Sequence, residues 1–414
     1  MTSSGLFRRR LLATAGTGVL TLALAACGGG SLGGDEGGGG GGGDGGGGDG
    51  GGGTIKVGLV IPQAGVYTPL GEDMQQGWDL WLEQNDGRMG DYEVETVVAD
   101  EGEGPDVGVP AIQRLLQEEQ VDVVVGIVNS ATALGAADQF TEAQKVLIVA
   151  NAGAGAITGE AASPYVWRTS FTNAQIAAAM GQHLGEEGVG PVYVMAPDYA
   201  AGQEVVAGFI EAYEAAGGEV AGQALTPFGT TQDYQPFLSP IQSSGAAATF
   251  VFYSGGEAVS FVQQYAEFGL KDSIPLYGSG FLTEGSVLEA QGEAAVGVQT
   301  TLHYSTEIEN EANTAFVDAY QEAYDELPTV FGMTTYDTAN VLAAALEGAE
   351  GLSGDELSAA LDGLGEIENS PRGPWSFNGQ TPEQTIYLRE VTDEGGTLIN
   401  SVVSDLGVFE QPLG

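Results

Sequence analysis

Basic residues are scarce in this chain. Eleven lysines and arginines stand against 57 aspartates and glutamates, a formal charge of −46 over 414 residues. Such a balance excludes the usual partners of basic proteins, nucleic acid and anionic lipid surfaces. Histidine is nearly absent, with only His183 and His303. Two imidazoles and no thiol cluster are too few for a zinc centre, so no metal is expected and each histidine reads as structural. There is one cysteine, Cys27, which cannot form an intramolecular disulfide. No lysine sits in the Gly-Lys-Ser/Thr setting of a phosphate-binding loop, and Gly153-Ala154-Gly155 lacks the third glycine of a dinucleotide fingerprint. No nucleophile, base or metal set is in evidence. The expectation is a protein that is not an enzyme and carries no cofactor.

What the chain does have begins at its start. Arg8, Arg9 and Arg10 precede an uncharged stretch from Leu11 to Ala26. Those 16 residues fall short of the roughly 20 a spanning helix needs. The layout is that of a signal peptide over 1–26. Leu24-Ala25-Ala26-Cys27 resembles the lipobox of bacterial-type lipoproteins, which implies cleavage before Cys27 and lipid on its thiol. Export through a twin-arginine or a general secretory route stays open. Residues 28–53 are almost all glycine, with no apolar surface to bury, and read as a flexible tether reaching about 30 Å. The order is therefore lipid, tether, domain, on the outer side of the cell membrane.

Removal of 1–26 takes away three arginines and no acid, leaving the mature chain near −49. Self-repulsion on that scale is screened when the Debye length falls to about 3 Å, near 1 M salt. A salt-rich, halophilic setting is the expectation.

From Thr54 onward the pattern alternates. "TIKVGLVIP" (54–62) is a short β-branched run of the kind buried in parallel sheets. Met74, Trp78, Trp81 and Leu82 then recur at helical spacing. Strands are expected at 92–100, 121–128 and 145–150, with helices between them. The alternation restarts after 165–173, with strands at 191–197, 219–225, 248–254 and 274–278 separated by helices. Helices follow at 309–326 and 334–350, and two strand-like runs lie within 384–404. Repeated βα units imply α/β architecture, here two doubly wound parallel sheets with a cleft between them. Clefts of this kind are the usual small-molecule sites.

"VGLVIPQAGVYTPLGEDMQQG", "VDVVVGIVNSATALG", "YVWRTSFTNAQ", "APDYAAGQEVVAGF" and "GTTQDYQPFLSPI" are, in order and spacing, similar to the branched-chain amino-acid-binding protein family. These are type I periplasmic solute receptors of ABC importers. The resemblance implies a lobe 1 of 54–170 completed by about 300–375, and a lobe 2 of 171–299 completed by about 376–410. It implies three crossovers, near 168–172, 297–302 and 372–378. It further implies a monomer that takes a small carboxylate and passes it to permease and ATPase subunits. A sensor of the same fold, docking to a signal transducer, is the alternative.

The family's ligand loops fall on specific positions. Ser130 and Thr132, with the amides of the helix they begin, would hold a ligand carboxylate. Asn151, Ala152 and Gly153 would offer backbone groups, Tyr199 would close from lobe 2, and Tyr67 and Leu70 would form an apolar wall. Amino-acid-binding members carry a carboxylate for the ligand ammonium where this chain has Gly278-Ser279-Gly280-Phe281. Glycine replaces it at Gly280, beside Phe281, and Glu257 is the available substitute. Gly153 stands where those members usually have threonine. These departures favour a branched or aromatic acid that lacks an amine.

Overall fold

The computed structural model describes residues 52–65, 67–159 and 162–411. The expectations for the signal peptide, for Cys27 and for the tether up to Gly51 lie outside the described residues. Among the described residues, no helix is long and apolar enough to cross a membrane.

The first sheet is built from β1 (Thr54–Ile61), β2 (Arg88–Met89), β3 (Tyr92–Asp100), β4 (Val123–Gly126), β5 (Val146–Val149) and β6 (Val166–Arg168), in the order β2-β3-β1-β4-β5-β6. All neighbours except the short β2 run parallel. Helices α1 (Thr68–Gln84), α2 (Pro105–Arg114) and α3 (Ser130–Ala143) connect them. The central strands β4 and β5 are buried throughout, which is why they read as unbroken valine, leucine and isoleucine rather than as an alternation. Trp78 of α1 is fully buried, and its indole N–H donates to Thr96 of β3 at 2.9 Å. The ring supplies apolar area and its one polar atom is satisfied.

After Arg168 the chain crosses to a second sheet. There α4 (Asn173–Glu186), β7 (Val192–Pro197), α5 (Ala200–Ala215), β8 (Val220–Thr226), α6 (Gln235–Ser244), β9 (Ala248–Val251), α7 (Gly255–Glu267), β10 (Leu276–Ser279), α8 (Ser286–Gln291) and β11 (Gln299–Leu302) follow in turn. The chain then supplies α9 (Glu311–Tyr324), α10 (Val330–Gly348) and α11 (Gly354–Asp362). Of these, α10 lies on α1, so closely that a Cβ on Gly77 would come within 2.0 Å of the Gly332 carbonyl. Finally β12 (Glu366–Ile367), β13 (Trp375–Asn378), β14 (Thr381–Glu394) and β15 (Thr397–Phe409) return to the second sheet, whose order is β12-β13-β14-β11-β10-β9-β7-β8, with β15 on β14.

Three differences from the sequence reading stand out. The second sheet is mixed: its five parallel strands are extended by antiparallel β12 to β15. The segment 297–302, expected as a crossover, contains strand β11, and the chain leaves that sheet only after Leu302. The segment 372–378 contains β13, already paired to β14, so the return lies earlier, after α11. Hydrogen bonding decides both cases, since "QTTL" and "WSFN" have the composition of strand as readily as of linker.

Buried arginines organise the crossing segments. Arg168 donates to the carbonyls of Ala152, Phe171 and Ala154 at 2.6–3.0 Å. Arg372 pairs with Asp337 at 2.9 Å, and Arg389 with Glu284 at 3.0 Å. The three lysines lie elsewhere. Lys56 is near the amino end of β1, Lys145 immediately precedes β5, and Lys271 lies in the turn before β10. That is the sheet edge opposite the carboxyl ends of the strands.

Candidate ligand site

At the carboxyl ends of both sets of parallel strands lies a cavity of about 350 Å³. That is near the lower end of the 300–1,000 Å³ range of small-molecule sites, room for a single compact ligand. Its walls come from both sheets. Residues just past β4, β5 and β6 supply one side, those just past β7, β8, β9 and β10 the other, and α1 and α10 close it. This is the place that parallel α/β topology reserves for ligands.

Seven of the expected residues line it: Tyr67, Leu70, Ser130, Asn151, Gly153, Tyr199 and Phe281. Four do not. Thr132 is fully buried, and its side chain lies against Glu101 rather than the cavity. Ala152 has both backbone groups committed, its amide to Ile127 and its carbonyl to Arg168. Glu257 turns away to accept from the Gly229 amide at 3.0 Å. Gly280 faces the sheet: a Cβ there would stand 2.6 Å from Leu302 and 2.7 Å from Arg389. Its neighbour Phe281 is the one that reaches the cavity.

The apolar lining is aromatic, and most of it was not foreseen. Phe171 and Phe281 have centroids 4.8 Å apart, Phe281 and Phe331 6.2 Å, Phe252 and Phe281 6.4 Å. Tyr199 stacks on Phe228 at 4.2 Å and lies 6.3 Å from Phe252. Phe171, Phe228 and Phe252 each follow the last residue of a parallel strand by one to three positions. That placement is a signal readable in the sequence. Phe331 has none, since only the return of α10 brings it to the site. Phe171 also accounts for Gly153. A Cβ at 153 would meet the Phe171 ring at 2.5 Å and the Asn173 side chain at 2.4 Å, so a threonine there would force both side chains to shift.

Among the described residues, no aspartate, glutamate, lysine or arginine lines the cavity. Its polar groups are hydroxyls, amides and helix starts. The Ser130 Oγ accepts from the Ala154 amide at 3.1 Å, which leaves its own proton for a ligand. The Asn129 side chain accepts from the amides of Ala131 and Thr132, so two of the α3 amides expected to hold an anion are already occupied. Helices α5 and α7 begin at Tyr199 and Ser254 with no side-chain cap, and both residues line the cavity. Helix starts carry partial positive charge and unsatisfied N–H groups, so they favour an anion. Beneath the floor, the fully buried Arg168 bonds only to neutral oxygens, and burial lowers its pKa to about 9.

Carboxylates stand back from the site but influence it. Glu101 accepts from the amides of Val128 and Asn129 at 2.8 and 2.7 Å and so fixes the loop that carries Ser130. Burial pushes its pKa up to about 7. Burial, then Glu257, Glu101 and Glu103, push the Tyr67 phenol up to about 12. Tyr199 is raised as well, chiefly by burial, so both phenols are neutral donors at physiological pH.

A family profile for periplasmic binding proteins matches residues 54–397. The chain belongs to the periplasmic binding protein family. This binding protein is 31% identical over 361 residues to Leu/Ile/Val-binding protein homolog 6 of Brucella melitensis, covering 84% of this chain and 90% of the relative. It is 34% identical to a solute-binding protein of an R. palustris ABC transporter solved with benzoate, with a TM-score of 0.77 and coverage of 86% and 97%. A solute-binding protein of an ABC transporter from Rhodopseudomonas palustris BisB5, solved with 3,4-dihydroxybenzoic acid, is 31% identical, with a TM-score of 0.80 and coverage of 87% and 99%. These relatives are solute-binding proteins rather than enzymes, and the binding protein described here shares their two-lobed α/β fold and their class of role.

Proposed function

We propose that this protein is the extracytoplasmic receptor of an ABC importer and that its ligand is a small aromatic carboxylate of the benzoate class. The observation that carries the reading is the cavity lining. An ammonium would find no carboxylate there, and a buried unpaired cation is costly. A carboxylate would find the Ser130 hydroxyl, the uncapped starts of α5 and α7, and, behind the floor, Arg168, whose hydrogen bonds all go to neutral oxygens. A benzene ring would find aromatic faces on both sides. Relatives solved with benzoate and 3,4-dihydroxybenzoic acid support the same ligand class. Lipid on Cys27 and the glycine tether would hold the receptor beside its permease.

Calorimetric titration of the purified chain with benzoate, 4-hydroxybenzoate, leucine and isoleucine tests the ligand. Benzoates should bind and the amino acids should not. Tight binding of leucine with silent benzoates would overturn the reading. Replacing Cys27 with serine tests the anchor: the protein should appear in the medium or as uncleaved precursor. A variant that stays cleaved and membrane-bound would refute it.

A further inference from the structure

Three asparagines line the aromatic cavity, and the structure commits their side chains to different degrees. Asn129 is fully engaged. Its oxygen accepts from the Ala131 and Thr132 amides, and its Nδ2 donates to the Glu103 carbonyl at 3.2 Å. Asn151 is the reverse: among the described residues its side-chain amide has no hydrogen-bond partner, so it can turn either end to a ligand.

Asn173, only 5% exposed, is fixed by one end. Its backbone N–H donates to the Gly153 carbonyl at 2.8 Å. Its Nδ2 donates to the Glu204 carboxylate, early in α5, at 2.8 Å. A carboxylate accepts and cannot donate, so the amide cannot turn over and Oδ1 must face the other way. That oxygen lies against the bare Cα of Gly153, where a Cβ would stand 2.4 Å from it. No described residue donates to it. Unlike the sealed hydroxyls of Ser170 and Tyr304, it keeps open surface, and the residue lines the cavity.

We infer that Asn173 is a specificity-determining residue that accepts a hydrogen bond from a ring hydroxyl of the ligand, with Glu204 as its positioning residue. The inference rests on the benzoate-class reading and narrows it to phenolic acids. A ligand that fills the cavity strips water from Oδ1, and a buried acceptor left without a donor is costly. A bare ring offers only C–H there, whereas a phenol offers O–H. An amide oxygen carries no net charge, so it suits a neutral donor better than an ammonium. Ser130 meets the chain at Ala154, the residue after Gly153. A donor for the ligand carboxylate and an acceptor for its hydroxyl therefore stand on one loop.

Calorimetry on the full mature chain with benzoate, its three monohydroxy isomers and their methyl ethers tests this. At least one hydroxybenzoate should bind about fivefold or more tighter than benzoate, and its methyl ether, which cannot donate, should lose that gain. Asn173→Ala should bring the same hydroxybenzoate to within twofold of benzoate. Glu204→Lys supplies a donor in place of an acceptor, which turns the amide round and presents Nδ2 to the cavity. The hydroxyl-to-ether affinity ratio should then fall by about fivefold or more. Glu204 also raises the Arg168 pKa through its charge, but that influence is common to all these monoanions and cancels in the ratio. Benzoate that binds wild type as well as every hydroxybenzoate does would overturn the inference and leave the receptor reading standing. So would a hydroxyl preference that survives Asn173→Ala, or a ratio unmoved by Glu204→Lys in a chain that still binds benzoate. Silence of every aromatic acid on wild type would instead overturn the benzoate-class reading, and this inference with it.

Discussion

Ser130 and Thr132 sit two residues apart at the start of one helix, and the structure gives them different fates. Ser130 lines the aromatic cavity with a hydroxyl that accepts from Ala154 and keeps a proton to donate. Thr132 is buried behind it against Glu101. The substitution Ser130→Ala removes one hydrogen bond to a charged ligand group, worth about 1.5–3 kcal/mol. At 1.4 kcal/mol per tenfold, that is a loss of about 10- to 150-fold in affinity. The loop beneath should hold its shape, because Arg168 still gathers the carbonyls of Ala152 and Ala154. Thr132→Val removes a hydroxyl of similar size that never meets the ligand. Its benzoate affinity should stay within twofold, with any effect seen as a lower melting temperature. Titration calorimetry of both variants with benzoate in 1 M KCl separates the two. An unchanged Kd for Ser130→Ala, or an equal loss for Thr132→Val, would refute the assignment of the hydroxyl.

Gly280→Glu should destabilise rather than retune specificity, by about 1–3 kcal/mol or more, because the new Cβ overlaps Leu302 and Arg389; a soluble variant of wild-type melting temperature that gains leucine binding would contradict this. Glu101 is raised from its ordinary 4.5 to about 7 in the folded chain, so the native state holds the proton more tightly than the unfolded one. Its contribution to stability is full below about pH 4.5 and is lost as pH rises through 7, and Glu101→Gln should flatten that part of a melting-temperature profile taken at constant salt. The melting temperature should also climb from 0.1 to 3 M KCl as screening relieves a formal charge of −46; a flat curve would remove the case for a salt-rich habitat.

Much of the fold was legible because buried parallel strands announce themselves. "VDVVVGIV" and "KVLIVA" have few other ways to bury their side chains. The capping box Ser353-x-x-Glu356, which starts α11, is an equally local signal. Strands β11 and β13 were misread because each is four residues long and is defined by a partner distant in sequence. The site divides along the same line. Loop positions such as Asn151 and Tyr199 follow from strand ends. The direction in which Gly280 and Glu257 face depends on Leu302, Arg389 and Gly229, none of which is near them in the chain.

The position of the lysines has a practical side. All three lysine amines stand at the amino-terminal edge of the sheets, the edge at which β1 begins at Thr54. The ligand cavity opens at the other edge. Amine-coupling chemistry on a sensor chip or bead would therefore fasten every molecule by its back, with the cleft facing the sample. A layer made this way should retain nearly full binding capacity, without an engineered tag to orient it.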